Sequence, residues 1–179
     1  LQSTPIAISA FGEAEMKAAK LDGLSDIAGR TPGFQMNAYN ASEPELFMRG
    51  IGSDIESAGA AAAIGMYVDG VYIARGTAAA MDLFDLQSVE VLRGPQGTLY
   101  GKNVVGGAIN FITKRPSFGD AEGNMELSLG NYGLLEGRGY VTGGLSESVA
   151  AKLAVSGMTR DGFGKNTFTG NDADDLSRQ

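Results

Sequence analysis

Apolar and polar residues alternate along most of this chain, and long helical periods are scarce. In residues 4–11, Ile6 and Ile8 share one face of a predicted short strand. Gly12 then opens a helix over residues 13–20, with Glu13 and Glu15 in its first turn, where the helix dipole favours them. A second short helix is expected over residues 24–28, stopped by Gly29. Thr31, Pro32 and Gly33 read as a turn, residues 34–39 as extended chain, and residues 46–49 as a strand ending in Gly50-Ile51-Gly52. Residues 53–65 are rich in Ala and Gly without a clear period; residues 58–63 suit a helix by propensity, and the flanking glycines suit a flexible loop equally.

The strongest local signal is the hairpin over residues 66–73. Asp69-Gly70 stands between two β-rich pairs and supplies the positive φ angles of a type I′ turn. Residues 81–86 read as a short helix or turn, and residues 88–93 alternate as a strand. Gly94-Pro95-Gln96-Gly97 breaks that strand, and residues 107–114 form another. Residues 1–116 thus make a small α+β unit ending at Pro116.

Beyond Pro116 the texture changes. Met125, Leu127 and Leu129 alternate with Asn124, Glu126 and Ser128, and Asn131-Tyr132-Gly133 turns the chain. A second strand, residues 135–143, sets Glu136, Arg138 and Tyr140 against mostly small residues. After a turn at residues 144–147, Val149, Ala151, Leu153 and Val155 oppose Lys152, Ser156 and Arg160. Three such strands and part of a further loop fill residues 117–179. The pattern fits the wall of a transmembrane β-barrel, apolar outward and polar inward. It fits an ordinary antiparallel sheet with one solvated face as well.

Composition narrows the function classes. Glycine accounts for 27 of 179 residues, well above the usual share of roughly 7%, which points to tight turns and close backbone approaches. A net charge of −7 argues against a nucleic-acid partner. The chain has no Cys, which excludes disulfides and thiolate sites, and no His, which removes the commonest general base and metal ligand. Catalysis is therefore not expected, nor is a cofactor. No apolar run approaches the roughly 20 residues of a membrane-spanning helix. Leu1-Gln2-Ser3-Thr4-Pro5 is neither an initiator sequence nor a signal peptide, and the far end stops in a polar stretch, so the chain reads as a piece of something longer.

Two phosphate-loop signals fail. Before Gly101-Lys102 a Walker loop needs Gly where Gln96 stands, and after Lys102 it needs Ser or Thr where Asn103 stands. Gly50-Ile51-Gly52 meets Ile55 where a dinucleotide fingerprint wants its third Gly. Asp172, Asp174 and Asp175 have oxygen ligands suited to Ca²⁺, but a solvated acidic loop is by far the simpler account of them.

Four segments taken together are specific. They are Phe47-Met48-Arg49-Gly50-Ile51-Gly52, Tyr67-Val68-Asp69-Gly70-Val71-Tyr72, the run from Val89-Glu90-Val91-Leu92-Arg93-Gly94-Pro95-Gln96-Gly97 to Tyr100-Gly101, and the run from Gly106-Gly107 through Ala108-Ile109-Asn110-Phe111 to Pro116. In order and spacing they resemble the plug of TonB-dependent outer-membrane receptors. Gly130-Asn131-Tyr132-Gly133, Thr142-Gly143-Gly144-Leu145-Ser146 and Asp161-Gly162-Phe163 resemble that family's first outer loop, first periplasmic turn and second outer loop.

The resemblance implies a mixed-sheet plug over residues 1–116, followed by the first antiparallel strands of a transmembrane barrel. It implies a non-enzyme in the outer membrane of a Gram-negative bacterium, gating uptake of a scarce nutrient, most often a ferric siderophore. TonB would act through a Ton box upstream of Leu1. By similarity, Arg49 and Arg93 hold the plug against glutamates of the receptor's own barrel wall, a task suited to bidentate, permanently charged guanidinium groups. Gly50, Gly94, Gly97, Gly101, Gly106 and Gly107 would serve turns and close approaches. Apical substrate loops are expected around Ser53, Asp54, Glu56 and Arg75. The rival classes are a soluble plug-like module that binds ligand or partner without transport and, less well supported by the composition, an α+β hydrolase.

Overall fold

The computed structural model describes residues 7–37, 44–52, 63–73, 83–95, 97–100, 104–162, 164–165, 172–173 and 176–178. The chain divides into two units, Leu1–Lys114 and Arg115–Gln179.

In the first unit β1 (Ala7–Gly12) runs directly into α1 (Glu13–Ala19). This helix ends one residue earlier than expected. Lys20 takes a left-handed φ of 50°, and the Lys20 and Leu21 N–H groups bond back to the carbonyls of Lys17 and Met16. α2 (Leu24–Arg30) begins where the Asp26 carboxylate accepts the N–H groups of Asp22 at 2.9 Å and Gly23 at 3.0 Å. It buries Leu24, Ile27 and Ala28, spaced to face one side. The expected stop at Gly29 is wrong: the helix runs through it to Arg30. Pro32 sets the end, because the residue before proline is pushed out of the helical region, and Thr31 accordingly sits at φ −106°, ψ 107°.

β2 (Phe34–Asn37), β3 (Glu45–Met48) and β4 (Ile51–Gly52) form a three-stranded antiparallel sheet. The single strand expected at residues 46–49 is thus a two-residue hairpin. Arg49 (φ 52°) and Gly50 (φ 79°) both take positive φ angles between the pairs Met48–Ile51 and Phe47–Gly52. Next come β5 (Ile64–Val68) and β6 (Val71–Ile73), joined as expected through Asp69 (φ 50°) and Gly70 (φ 81°). β7 (Leu86–Arg93), α3 (Gly97–Tyr100) and β8 (Gly107–Thr113) complete the unit. Sequence reading missed α3.

The main sheet has the order β1-β7-β8-β5-β6 and is mixed: β8 is antiparallel to β7 and parallel to β5. Alternation in β7 buries Val89 and Val91, and β8 buries Ile109 and Phe111 beside them. Met16, Leu24 and Ile27 from the helices and Phe34 and Met48 from the small sheet close over this face. Each such side chain contributes about 1.5–3 kcal/mol of burial. On the opposite face Leu92, Ala108 and Tyr67 pack with Val104 into a second, smaller cluster.

The second unit is built on β9 (Glu122–Leu129), β10 (Leu135–Ser146) and β11 (Val149–Arg160), an antiparallel meander. β12 (Gly164–Lys165) pairs with β13 (Asp172–Ala173), and β14 (Leu176–Arg178) pairs with Met158–Arg160 of β11. The expectation of three strands ending in a loop is therefore corrected, because a fourth strand has begun. The turn expected at residues 144–147 is also displaced. β10 continues through Gly143-Gly144 to Ser146, with a register shift between Gly144 and Ser146, and turns at Glu147-Ser148.

Burial in this sheet is inverted. Met125 is 83% exposed and Leu129 76%, while the Glu136 and Arg138 side chains on the other face are 17% and 16% exposed and form an ion pair. Register carries the inversion across strands: Met125, Gly139 and Val155 form one row, and Glu126, Arg138 and Ser156 the next, on the other face. The sheet is open, so no closed barrel is present among the described residues.

Candidate functional site

Four turns of the first unit converge at one end of its main sheet. Gly94 donates its N–H to the Gly106 carbonyl at 3.0 Å, and Gly106 donates to Ala63 at 2.9 Å. Arg49 donates its N–H to the Gly33 carbonyl at 2.6 Å. The register pairs Arg93 with Gly107 and Gly107 with Ile64, placing these turns at the same end. Arg49, Gly50, Arg93, Gly94, Gly106 and Gly107, all singled out from the sequence, are thereby brought together.

Each glycine in the corner has its own reason. Gly50 and Gly94 hold φ angles of 79° and 99°, which side chains rarely adopt. A Cβ on Gly106 would stand 3.2 Å from the Ile51 side chain and its carbonyl. One on Gly107 would collide with Met48 Sδ and the Leu92 carbonyl, so glycine here lets the small sheet close on the large one. Gly97 differs from expectation. It opens α3 with nothing within 4 Å of a would-be Cβ, and no close approach requires glycine there. Gly101 lies outside the described residues.

The two arginines share this corner. Arg49 is exposed, and its side chain runs from Gly33, whose would-be Cβ is 3.4 Å from Arg49 Cγ, towards Gly94, whose would-be Cβ is 3.7 Å from Arg49 Nη1. Arg93 is half-buried and donates from Nη1 to the Pro32 carbonyl at 3.3 Å. Its Nε is buried without a protein hydrogen-bond partner, as is the neighbouring Thr31 hydroxyl. Among the described residues no carboxylate pairs with Arg49 or Arg93; the ion pairs there involve Lys17, Lys114 and Arg138. Two guanidinium groups without a carboxylate partner among the described residues favour an incoming anion with two acceptor oxygens.

Pro32, Gly33 and Met48 were not foreseen as parts of this corner. Their role arises from packing between segments far apart in sequence, and no local signal marks it. A second unforeseen feature is a tyrosine brace. The Tyr67 ring lies 4.7 Å from Tyr100 and 5.5 Å from Tyr72, and Tyr67 donates its hydroxyl to the Tyr100 carbonyl at 2.5 Å. Burial raises the Tyr67 and Tyr100 phenols above their usual pKa, with Tyr72 and Tyr100 adding to the first and Glu90 to the second, so Tyr67 stays a donor at neutral pH. The expected substrate-loop residues Ser53, Asp54, Glu56 and Arg75 lie outside the described residues. Ile64 and Ile73, which border those segments, stand towards the same sheet end as Gly107.

The comparisons agree with this architecture. Residues 1–108 match the family model described as the TonB-dependent Receptor Plug Domain. The pesticin receptor of Yersinia pestis is 41% identical over 104 residues, covering 56% of this chain and 13% of the receptor. The vitamin B12 transporter BtuB of Photobacterium profundum is 27% identical over 162 residues, covering 87% of this chain and 25% of the transporter. The crystal structure of the ferric yersiniabactin uptake receptor FyuA from Yersinia pestis superposes with a TM-score of 0.84 at 28% identity, covering 97% of this chain and 27% of that one. The chain thus spans about a quarter or less of these relatives, all receptors or transporters by name. With the family model matched over more than half its length, the chain belongs to the TonB-dependent receptor plug domain family.

Proposed function

We propose that this chain supplies the plug and the first wall strands of an outer-membrane receptor in a Gram-negative bacterium, and that the receptor takes up a ferric siderophore with energy delivered through TonB. The observation that carries this reading is the presence, in one chain, of a plug fold with its apolar residues inside and a following sheet with them outside. A sheet of that second kind suits a lipid solvent, which covers apolar side chains that water would not. Arg49 and Arg93 are the groups that would meet carboxylates on the inner barrel wall, since no carboxylate among the described residues pairs with them. Segments carrying Ser53, Asp54, Glu56 and Arg75 would contact substrate. TonB would act on a segment upstream of Leu1.

The siderophore is favoured because FyuA, the structure matched over 97% of the chain, is by its name a ferric yersiniabactin uptake receptor, and PiuA of Acinetobacter baumannii, 28% identical over 170 residues, is by its name a probable TonB-dependent siderophore receptor. Cobalamin is the second substrate reading, favoured by the match to the vitamin B12 transporter. The test is uptake by cells producing the complete gene product, with and without TonB, offered iron-labelled siderophores or labelled cobalamin. TonB-dependent iron accumulation is expected. Accumulation of cobalamin alone would overturn the substrate, and uptake indifferent to TonB would overturn the mechanism. Binding without any uptake would return the chain to the class of non-transporting modules.

A further inference from the structure

We propose that Thr142, Gly143 and Gly144 form a seat on β10 that straps down residues 117–121, the linker leaving the first unit, so that rearrangement of the plug stops at Ser117. The inference rests on reading the first unit as a plug and the second as its wall. Sequence had matched these three residues to a periplasmic turn, but the chain turns later, at Glu147-Ser148, which leaves the two glycines in need of another reason.

Thr142 is the one buried residue of β10, and the side chains of β9 and β11 beside it are all half-buried or exposed. Its hydroxyl accepts the Ser117 N–H at 3.0 Å and donates to the Ala151 carbonyl of β11 at 3.1 Å. One side chain thereby ties the linker to two strands. The Ser117 hydroxyl accepts the Gly119 N–H at 3.2 Å, which holds the bend that follows. Gly144 then donates its N–H to the Gly119 carbonyl at 3.1 Å.

The glycines make the approach possible. A Cβ on Gly143 would lie 3.1 Å from Ala121 Cα, and one on Gly144 would lie 2.8 Å from the Phe118 carbonyl oxygen. Larger residues at either position would push the linker's backbone off the strand. The strap is therefore held by a side chain and by backbone contact, and every contact in it belongs to the second unit. Remodelling of the first unit leaves those contacts untouched. A plug could be rearranged or drawn aside while its tether stays fixed at the start of the wall.

The experiment uses the complete gene product, purified from membranes in detergent, with heat-modifiable gel mobility reporting barrel assembly separately. Hydrogen exchange is read first on the unaltered protein. The amides of Ser117 and Gly144, both donors in the strap, should exchange as slowly as the β10–β11 ladder and remain protected in mild denaturant that opens the first unit. Exchange in step with the first unit would overturn the proposal. Chymotrypsin cleavage at Phe118–Gly119, whose side chain is exposed but whose backbone is pinned, is read second. Thr142→Val should accelerate it about tenfold, through loss of both hydroxyl hydrogen bonds, and Thr142→Ser should leave it slow. Equal rates for Thr142→Val and the unaltered protein would also overturn it. Loss of heat-modifiability in the unaltered protein would instead count against the barrel reading on which the strap depends.

Discussion

The two units use one sequence device, alternation of apolar and polar residues, and turn it in opposite directions. In β7 and β8 the apolar residues Val89, Val91, Ile109 and Phe111 are fully buried beneath two helices and a small sheet. In β9 and β11 the apolar residues Met125, Leu129 and Leu153 are exposed, while on β10, between them, the charged Glu136 and Arg138 face the other way, half-buried, and pair. Alternation reports that two faces differ; it does not report which solvent each face meets. What separates the units is the supply of covering elements. The first unit brings α1, α2 and the β2–β4 sheet to close its apolar face, whereas the described part of the second unit is strands, two-residue pairs and turns.

The sharpest way to break this contrast is to place a charge on each apolar face. Val91→Asp buries a carboxylate without a partner and should cost more than about 4 kcal/mol, abolishing slow hydrogen exchange throughout the first unit. Leu153→Arg should cost about 2–4 kcal/mol when the second unit sits in a bilayer, read as loss of folding in vesicles. The same Leu153→Arg change should be nearly silent where that face meets water. Equal costs in the two solvents would show that the exposed face is not a membrane face.

A smaller effect comes from matched glycines. Gly107→Ala drives a methyl group into Met48 and the Leu92 carbonyl and should destabilise the first unit by about 1–3 kcal/mol in denaturant titration. Gly137→Ala, on β10 with only Leu127 at 4.0 Å, should change stability by less than about 0.5 kcal/mol. Similar losses at both sites would mean that the second sheet is packed on its outer face after all.

The smallest effect is a pH dependence confined to the first unit. Glu13 accepts from Lys114 Nζ at 2.6 Å and Lys17 Nζ at 2.8 Å, and these contacts hold its carboxyl below the usual Glu range, Lys114 first. Because the folded pKa is the lower one, the contribution is complete above the unfolded value of about 4.3 and fades as pH falls through the folded one. Glu13 is 39% exposed, so screening limits the gain to about 0.5 kcal/mol. Lys114→Met should flatten most of this slope in urea titrations across acidic pH. An unchanged slope would assign it to other carboxylates.

How much was legible depends on where the deciding contact lies in the chain. The Asp69-Gly70 hairpin was visible because both residues favour positive φ. Arg49-Gly50 makes the same kind of turn and passed for a strand end, because Arg carries no turn preference and the partner strand is two residues long. Gly29 looked like a helix stop, yet Pro32 three residues on sets the end. Gly143-Gly144 looked like a turn, but glycine there serves the close approach of a linker that alternation does not report. At the corner, the arginines and most of the glycines were legible only through the resemblance to the plug family's motifs. Pro32, Gly33 and Met48 were not, since Arg93 and Pro32 meet across 61 residues of chain.

One feature of the main sheet bears on when this protein can fold. β8 lies at the centre, antiparallel to β7 on one side and parallel to β5 on the other, yet it is the last strand of its unit in the chain. A ribosome delivers the two edge strands, β1 and β6, long before the strand that joins their halves. Until residues 107–113 emerge, β5 has only the short hairpin with β6, and β1 has at most β7. Such pairings across long stretches of chain form slowly. The first hundred residues therefore wait in an incompletely folded state, pliable enough to be threaded through a narrow passage, and the sheet closes only once its keystone has been made.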